Sequence, residues 1–188
     1  MALLILGLGL WWAGHLFPIY LPDRRAAARK RLGEKLYKSA FALVAWTAVV
    51  AMLAGYRGAD LVVVWFSPPW TMHLNNLLML IAIFLFSAKF IKSGVRRHIR
   101  HPMLAGVKVW AVAHLLVNGD LASIVLFGGL LGWAVVAMIG SNRRDGEWQR
   151  PAKGGVAALA RHGVISVVVF LAIVATHGLL FGVYTFPQ

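Results

Sequence analysis

Histidine is the residue type in this chain best equipped for chemistry. There are seven histidines and no cysteine. One of them, His114, interrupts the apolar stretch "RHPMLAGVKVWAVAHLLVNGD" at residues 100–120. A neutral imidazole can ligate a metal, pass a proton or hold a backbone carbonyl. His114 and Asn118 are four apart, so on a helix they share a face, which also carries Trp110. Without cysteine, disulfides, thiolate chemistry, iron–sulfur clusters and cysteine-ligated zinc are excluded. No P-loop, dinucleotide fingerprint, GxSxG or zinc-protease motif occurs, so a serine hydrolase would lack its nucleophile. No HxxxH, HxH or HxxEH spacing occurs either.

The elements that must hold these histidines are membrane helices. The chain has 188 residues, is 60% hydrophobic and only 13% charged, and its mean hydropathy is +0.75. That is too apolar for a water-facing surface. A bilayer core needs roughly 20 apolar residues in helical form, and six runs approach this, at about 2–20, 39–56, 70–88, 102–118, 121–139 and 163–184. The fold class predicted is therefore an all-α, polytopic membrane helical bundle of about six transmembrane helices, forming one transmembrane domain over 1–188. "NGD" at 118–120 is a turn signal, since Asn and Gly tolerate left-handed backbone, and it reads as a tight hairpin between spans four and five. Pro102 fits the first turn of span four. Residues 59–67, "ADLVVVWFS", are too short to span, and are expected at the outer interface or folded back over the bundle. Residues 21–38 read as a loop. Trp11, Trp12, Trp65 and Trp70 lie near the ends of apolar runs, as interfacial aromatics do. Gly7, Gly14, Gly106, Gly128 and Gly132 are places where helices could approach closely. There is no internal repeat and no low-complexity segment.

The formal charge of +13 does not form a nucleic-acid face, because it is confined to short loops. The segments 21–38, 89–101 and 140–162 hold 17 of the 19 basic residues. The positive-inside rule turns these loops to the cytoplasm. Six spans then put both termini on the outer, periplasmic side of a bacterial inner membrane. The first span has no basic leader before it and no clear cleavage site, so it is expected to be an uncleaved anchor.

Helical rise gives the depth of each histidine. From the cytoplasmic edge, His15 lies about 8 Å in, His114 about 20 Å and His177 about 21 Å. His15, His101 and His162 form an inner layer; His73, His114 and His177 form an outer one. His98 belongs to a basic loop. Polar groups at such depth face the bundle interior, a cavity or a ligand. Haem iron is one physical reason for imidazoles at equal depth on separate helices, because the macrocycle buries its apolar faces and takes axial histidines. His114 with His177 is the preferred pair, as the metal ligands, and His15 with His101 the second. Arg100 at the interface could meet a propionate, and Asn118 adds a polar group beside His114. A three-imidazole non-haem site of His15, His101 and His162 is a further option if those helices converge. Each histidine could also simply bond a carbonyl.

At "RHPMLAGVKVWAVAHLLVNGDLASIVLFGG" the sequence resembles the NnrU family of membrane proteins, associated by gene context with bacterial denitrification and nitric oxide metabolism. "GHLFP" at 14–18, "RLGEKLYKSAFALV" at 31–44 and "THGLLFG" at 176–182 extend the likeness over essentially the whole chain. The same family includes 15-cis-zeta-carotene isomerase, a haem b protein with histidine ligation. The resemblance implies a haem b-binding membrane protein with a redox or isomerase-like role, His15, His101, His114 and His177 as its candidate polar residues, and room for an apolar small-molecule substrate. Alternatively, the chain is a non-catalytic membrane factor supporting a nitric oxide or nitrite reductase. A more distant likeness, through Arg100, His101 and Pro102, is to isoprenylcysteine carboxyl methyltransferases, which would imply S-adenosylmethionine. Leu104 stands where those enzymes have an aromatic residue, and their C-terminal Glu- and Tyr-rich segment is not evident here.

Overall fold

The computed structural model describes residues 1–183 and 185. The protein is an all-α helical bundle with at least four membrane-spanning helices. Among the described residues seven α-helices run Ala2–Tyr20 (α1), Pro22–Leu32 (α2), Glu34–Arg57 (α3), Thr71–Ser87 (α4), Pro102–Val117 (α5), Leu121–Asp145 (α6) and Val156–Phe181 (α7), with one 3₁₀ turn at Val95–Arg97. Four of them, α1, α3, α6 and α7, are long and apolar enough to cross a membrane; α4 and α5 are apolar but shorter, at 17 and 16 residues. At 1.5 Å per residue those two reach only about 24–26 Å, somewhat less than a hydrocarbon core.

The chain folds as two compact units. The first holds residues 1–65 and 120–146, and therefore α1, α2, α3 and α6; the second holds 66–119 and 147–188, and therefore α4, α5 and α7. In the first unit α1 packs against both α3 and α6. Leu4 and Gly7 meet Gly55 and Met52, so α1 and α3 run antiparallel. Leu8 reaches Gly129, and Tyr20 and Ile19 reach Gly140, so α1 and α6 run parallel. The close approach of α1 and α3 depends on glycine. A Cβ on Gly55 would lie 2.2 Å from the Leu4 nitrogen, and one on Gly7 would lie 2.6 Å from the Met52 nitrogen. Gly128, by contrast, has open space where its Cβ would be. Pro18 lies inside α1 and leaves the Gly14 carbonyl without its helical N–H partner. Trp12 Nε1 donates to the Gly129 carbonyl at 3.0 Å and Tyr20 Oη to the Val136 carbonyl at 2.9 Å.

Residues 22–32, expected as loop, are the helix α2. Its sequence is polar on all faces and no residue in it is buried, so apolar periodicity could not reveal it. Helix-end chemistry accounts for it. Pro22 occupies the first turn beside Asp23, and Arg29, Lys30 and Arg31 occupy the last, matching the helix dipole at both ends. Gly33 (φ 76°) then turns the chain into α3. Arg29 and Lys38 both pair with Glu34, and such exposed pairs, screened by solvent, add little to stability.

Residues 59–67 fold back rather than lying loose. Val63 forms an antiparallel bridge with Asp120, and the Leu121 N–H donates to the Val62 carbonyl at 2.8 Å. The turn at 118–120 forms where expected but without left-handed backbone: Asn118 is extended and Gly119 is not among the positive-φ glycines. The stop comes instead from capping. Asp120 accepts from the Ser123 N–H at 2.9 Å and from Ser123 Oγ at 2.5 Å, and Tyr56 Oη lies 2.9 Å from the same Ser123 hydroxyl. Asp120→Ala is expected to lower stability by about 1 kcal/mol, the usual worth of an N-cap, measurable as a shifted unfolding midpoint in mixed micelles.

In the second unit α4 packs against α5 and α7. Asn76, near the start of α4, donates to the Thr185 carbonyl, while Ser87, at its end, meets His162 near the start of α7, so these two helices are antiparallel. The loop before α5 closes on the segment before α7 by glycine contact: a Cβ on Gly94 would lie 2.6 Å from the Gly154 nitrogen.

Candidate functional site

His114 and His177 belong to the same unit. Each ring is anchored in one sense. His114 Nδ1 lies 2.9 Å from the Trp110 carbonyl, one helical turn back, and His177 Nδ1 lies 2.7 Å from the Val183 carbonyl, just past the end of α7. A carbonyl only accepts, so each Nδ1 carries the proton and each Nε2 carries the lone pair. This is the tautomer that metal-bound histidines adopt when their second nitrogen donates to a carbonyl. An aromatic ring flanks each: Trp110 is 4.9 Å from His114 and Phe181 is 4.8 Å from His177. Asn118 caps α5 and donates Nδ2 to the His114 carbonyl at 2.9 Å, so its amide N–H is spent on the backbone beside the histidine. Arg100 and His101 immediately precede α5, with His101 as its N-cap residue and Pro102 in its first turn.

His15 lies in the other unit and has the same tautomer, with Nδ1 3.0 Å from the Trp11 carbonyl. Its ring stacks on Trp11 at 3.8 Å, with Trp133 edge-on at 5.4 Å and Phe41 at 5.2 Å. His73 and His98 are exposed.

His162 is different. It is fully buried, stacked on Phe84 at 4.0 Å, and bonded at both nitrogens: Nε2 to Ser87 Oγ at 2.8 Å and Nδ1 to Ser93 Oγ at 2.6 Å. Ser87 also donates to the Ile83 carbonyl at 2.9 Å. The consistent proton assignment therefore has Nε2–H donating to Ser87 and Ser93 O–H donating to Nδ1. Ser166 completes the knot, donating to the His162 carbonyl at 2.9 Å and lying 3.2 Å from Ser87 Oγ. No lone pair of this imidazole is left for a metal. The three-imidazole option of His15, His101 and His162 fails on that ground, and among the described residues no group of three or more His, Asp or Glu is placed to hold a metal ion.

A family model described as NnrU protein matches residues 3–185. The chain belongs to the NnrU family. No curated protein and no solved structure matches it. As an NnrU protein with four helices long enough to span, it is a multi-pass membrane protein, consistent with the bacterial inner membrane typical of the family.

Two features of this NnrU chain escaped sequence reasoning. The serines around His162 are 69 and 75 residues away in sequence for Ser93 and Ser87, and nothing local marks them. Trp133 is likewise brought to His15 only by the packing of α6 on α1. The Trp11–His15 contact does carry a local signal, because a spacing of four can stack two rings on one helix face.

Proposed function

We propose that this NnrU protein binds haem b through His114 and His177, in a redox or isomerase-like role linked to denitrification and nitric oxide metabolism. The observation that carries the reading is the donor set: two imidazoles of one unit, each with Nδ1–H committed to a carbonyl and Nε2 holding its lone pair. The donor chemistry of these two imidazoles is of the kind that would hold a haem. His114 and His177 would be the ligands, Trp110 and Phe181 would offer apolar ring surface, and Arg100 would be the cation for a propionate. Asn118 acts through His114 by holding its carbonyl. The group itself supplies electron transfer or Lewis acidity when bound. What the chain's own residues do is fix the tautomer of each ring, through the Trp110 and Val183 carbonyls. An apolar small molecule is the substrate class suited to a site reached from lipid.

The proposed topology is one domain of six crossings with both termini outside. Support comes from helix direction inside each unit. Six alternating spans require α1 and α6 to run parallel and α4 and α7 antiparallel, as the contacts of those pairs do. The basic segments then fall on one side.

The test is a visible spectrum of the full chain purified after haem-replete expression. A Soret band with low-spin, six-coordinate features is expected, and His114→Ala is expected to abolish the low-spin form. Absence of any Soret band sinks the haem reading; an unchanged spectrum in the variant sinks the ligand assignment.

A second reading, a non-catalytic factor supporting a nitric oxide or nitrite reductase, is favoured by α2. That helix carries five basic residues, buries none of them, and would contact anionic headgroups or an acidic partner. Co-purification of a reductase with colourless protein, lost when Arg24, Arg29 and Arg31 become Gln, is the outcome that would replace the haem reading with this one.

A further inference from the structure

One face of α3 carries an apolar groove at mid-helix and cations at its start. The groove, of about 340 Å³, lies between α1 and α3 and is lined by Trp11, Phe41, Ala42, Ala45, Trp46 and Val49. Apart from two indoles its lining is hydrocarbon, and Trp46 is exposed. From Phe41 to Val49 it follows α3 for about 12 Å. Ala42, Ala45 and Val49 recur at spacings of three and four, so they form one stripe along the helix. The same stripe continues through Lys38 and Lys35 toward the start of α3. Lys38 stands one turn below the groove and Lys35 two turns. α3 begins at Glu34, just after α2, so both lysines lie at the end of the span, beside that basic helix. Glu34 draws Arg29 and Lys38 together by pairing with both. Among the described residues no carboxylate pairs with Lys35. Three cations thus face one acid, and the cluster keeps an excess of positive charge.

We propose that the groove seats an acyl chain of one anionic phospholipid, whose phosphate is held by Lys35, Lys38 and Arg29. Each half of the stripe constrains the occupant. The groove suits hydrocarbon and lies within the span. The cations suit an anion and lie at the end of the span. One molecule meets both where an anionic group and an apolar chain are joined and the chain runs along the helix, as in a phospholipid. A free phosphate would fill only the cationic end. A zwitterionic headgroup would bring a cation of its own to a cluster already in positive excess. Basic segments in general attract an anionic surface without selecting a site; the joined groove adds the selection. The proposal is independent of the haem reading, which concerns residues of the other unit.

The probe is dioleoyl phosphatidylglycerol, titrated into the full chain in non-ionic micelles and counted by native mass spectrometry. Dioleoyl phosphatidylcholine, with the same chains, is the comparison. The first phosphatidylglycerol is expected to bind about tenfold more tightly than phosphatidylcholine. Lys35→Gln with Lys38→Gln is expected to remove that preference. Lys92→Gln with Arg96→Gln, an equal loss of charge on another basic segment, is expected to leave it intact. Ala45→Trp fills the groove, keeps every cation, and is expected to weaken phosphatidylglycerol binding about tenfold. Glycerol phosphate, an anion without chains, is expected not to compete. The proposal is overturned if the two lipids bind alike, if both pairs of charge changes lower the preference equally, if Ala45→Trp leaves binding unchanged, or if glycerol phosphate displaces the lipid. The wild-type comparison and the exposed charge variants decide the matter even if Ala45→Trp fails to fold.

Discussion

Replacing His162 with leucine should lower the stability of the protein by about 2–3 kcal/mol, through lost hydrogen bonds. α7 is 26 residues long yet buries only His162 and Ser166, so its attachment to α4 is concentrated at this point. Leucine is similar in size and keeps the contact with Phe84, but it ends both ring hydrogen bonds. Ser87 retains the Ile83 carbonyl as acceptor. Ser93, only 5% exposed, loses its partner and is left with an unsatisfied hydroxyl. Interhelical hydrogen bonds in membranes average under about 1 kcal/mol each, so the unpaired Ser93 is the larger part of the cost. This gives a sign test. Adding Ser93→Ala to His162→Leu should recover about 1 kcal/mol, whereas Ser93→Ala alone should destabilise. Reversible unfolding in mixed micelles, followed by tryptophan fluorescence, measures all three. Purely additive losses would mean that the serine and the histidine do not depend on one another.

That knot also shows where sequence reading stops. The apolar runs placed six helices to within a few residues, apart from the longer ends of α3, α6 and α7, because in lipid the backbone must bond to itself and a long apolar segment has few other choices. The turn before α6 was legible as a turn, since Asn, Gly and Asp together end helices. Its mechanism was not, because the Asp120 cap and the Val63 bridge depend on a segment read only as too short to span. Depth along a helix put His162 in a layer with His15 and His101. Depth carries no information on what a ring bonds to, and two distant serines decide that. The carbonyl partners of His15 and His114 lie four residues back, as a helix allows, and so were foreseeable. The partner of His177 required the chain to turn after α7. α2 was missed because its evidence sits at its ends, in proline and charge, rather than in any apolar stripe.

Glycine positions give the other large effect, and here the sign differs between sites that look alike in sequence. In a helix interior, Gly→Ala gains about 1 kcal/mol from backbone entropy and propensity wherever the methyl has room. Gly128 has such room, so Gly128→Ala should be neutral or stabilising by up to about 1 kcal/mol. At Gly55 the methyl would lie 2.2 Å from the Leu4 nitrogen and 2.7 Å from its Cα, and both are backbone atoms. No rotamer change can relieve that contact; α1 and α3 must separate. Separation would also open the Gly7–Met52 and Leu4 contacts along the same seam. Overpacking of this kind costs about 1–3 kcal/mol for an ordinary core and sits at the upper end when backbone opposes backbone. The propensity gain is smaller than the clash, so Gly55→Ala should destabilise by about 2 kcal/mol net. Gly55→Leu should prevent α1 from seating on α3 and leave the chain to aggregate during purification. Paired unfolding midpoints for Gly55→Ala and Gly128→Ala check this directly. Equal midpoints would mean that α1 and α3 do not meet backbone to backbone at Gly55, and the antiparallel seam that positions His15 against Phe41 would have to be redrawn.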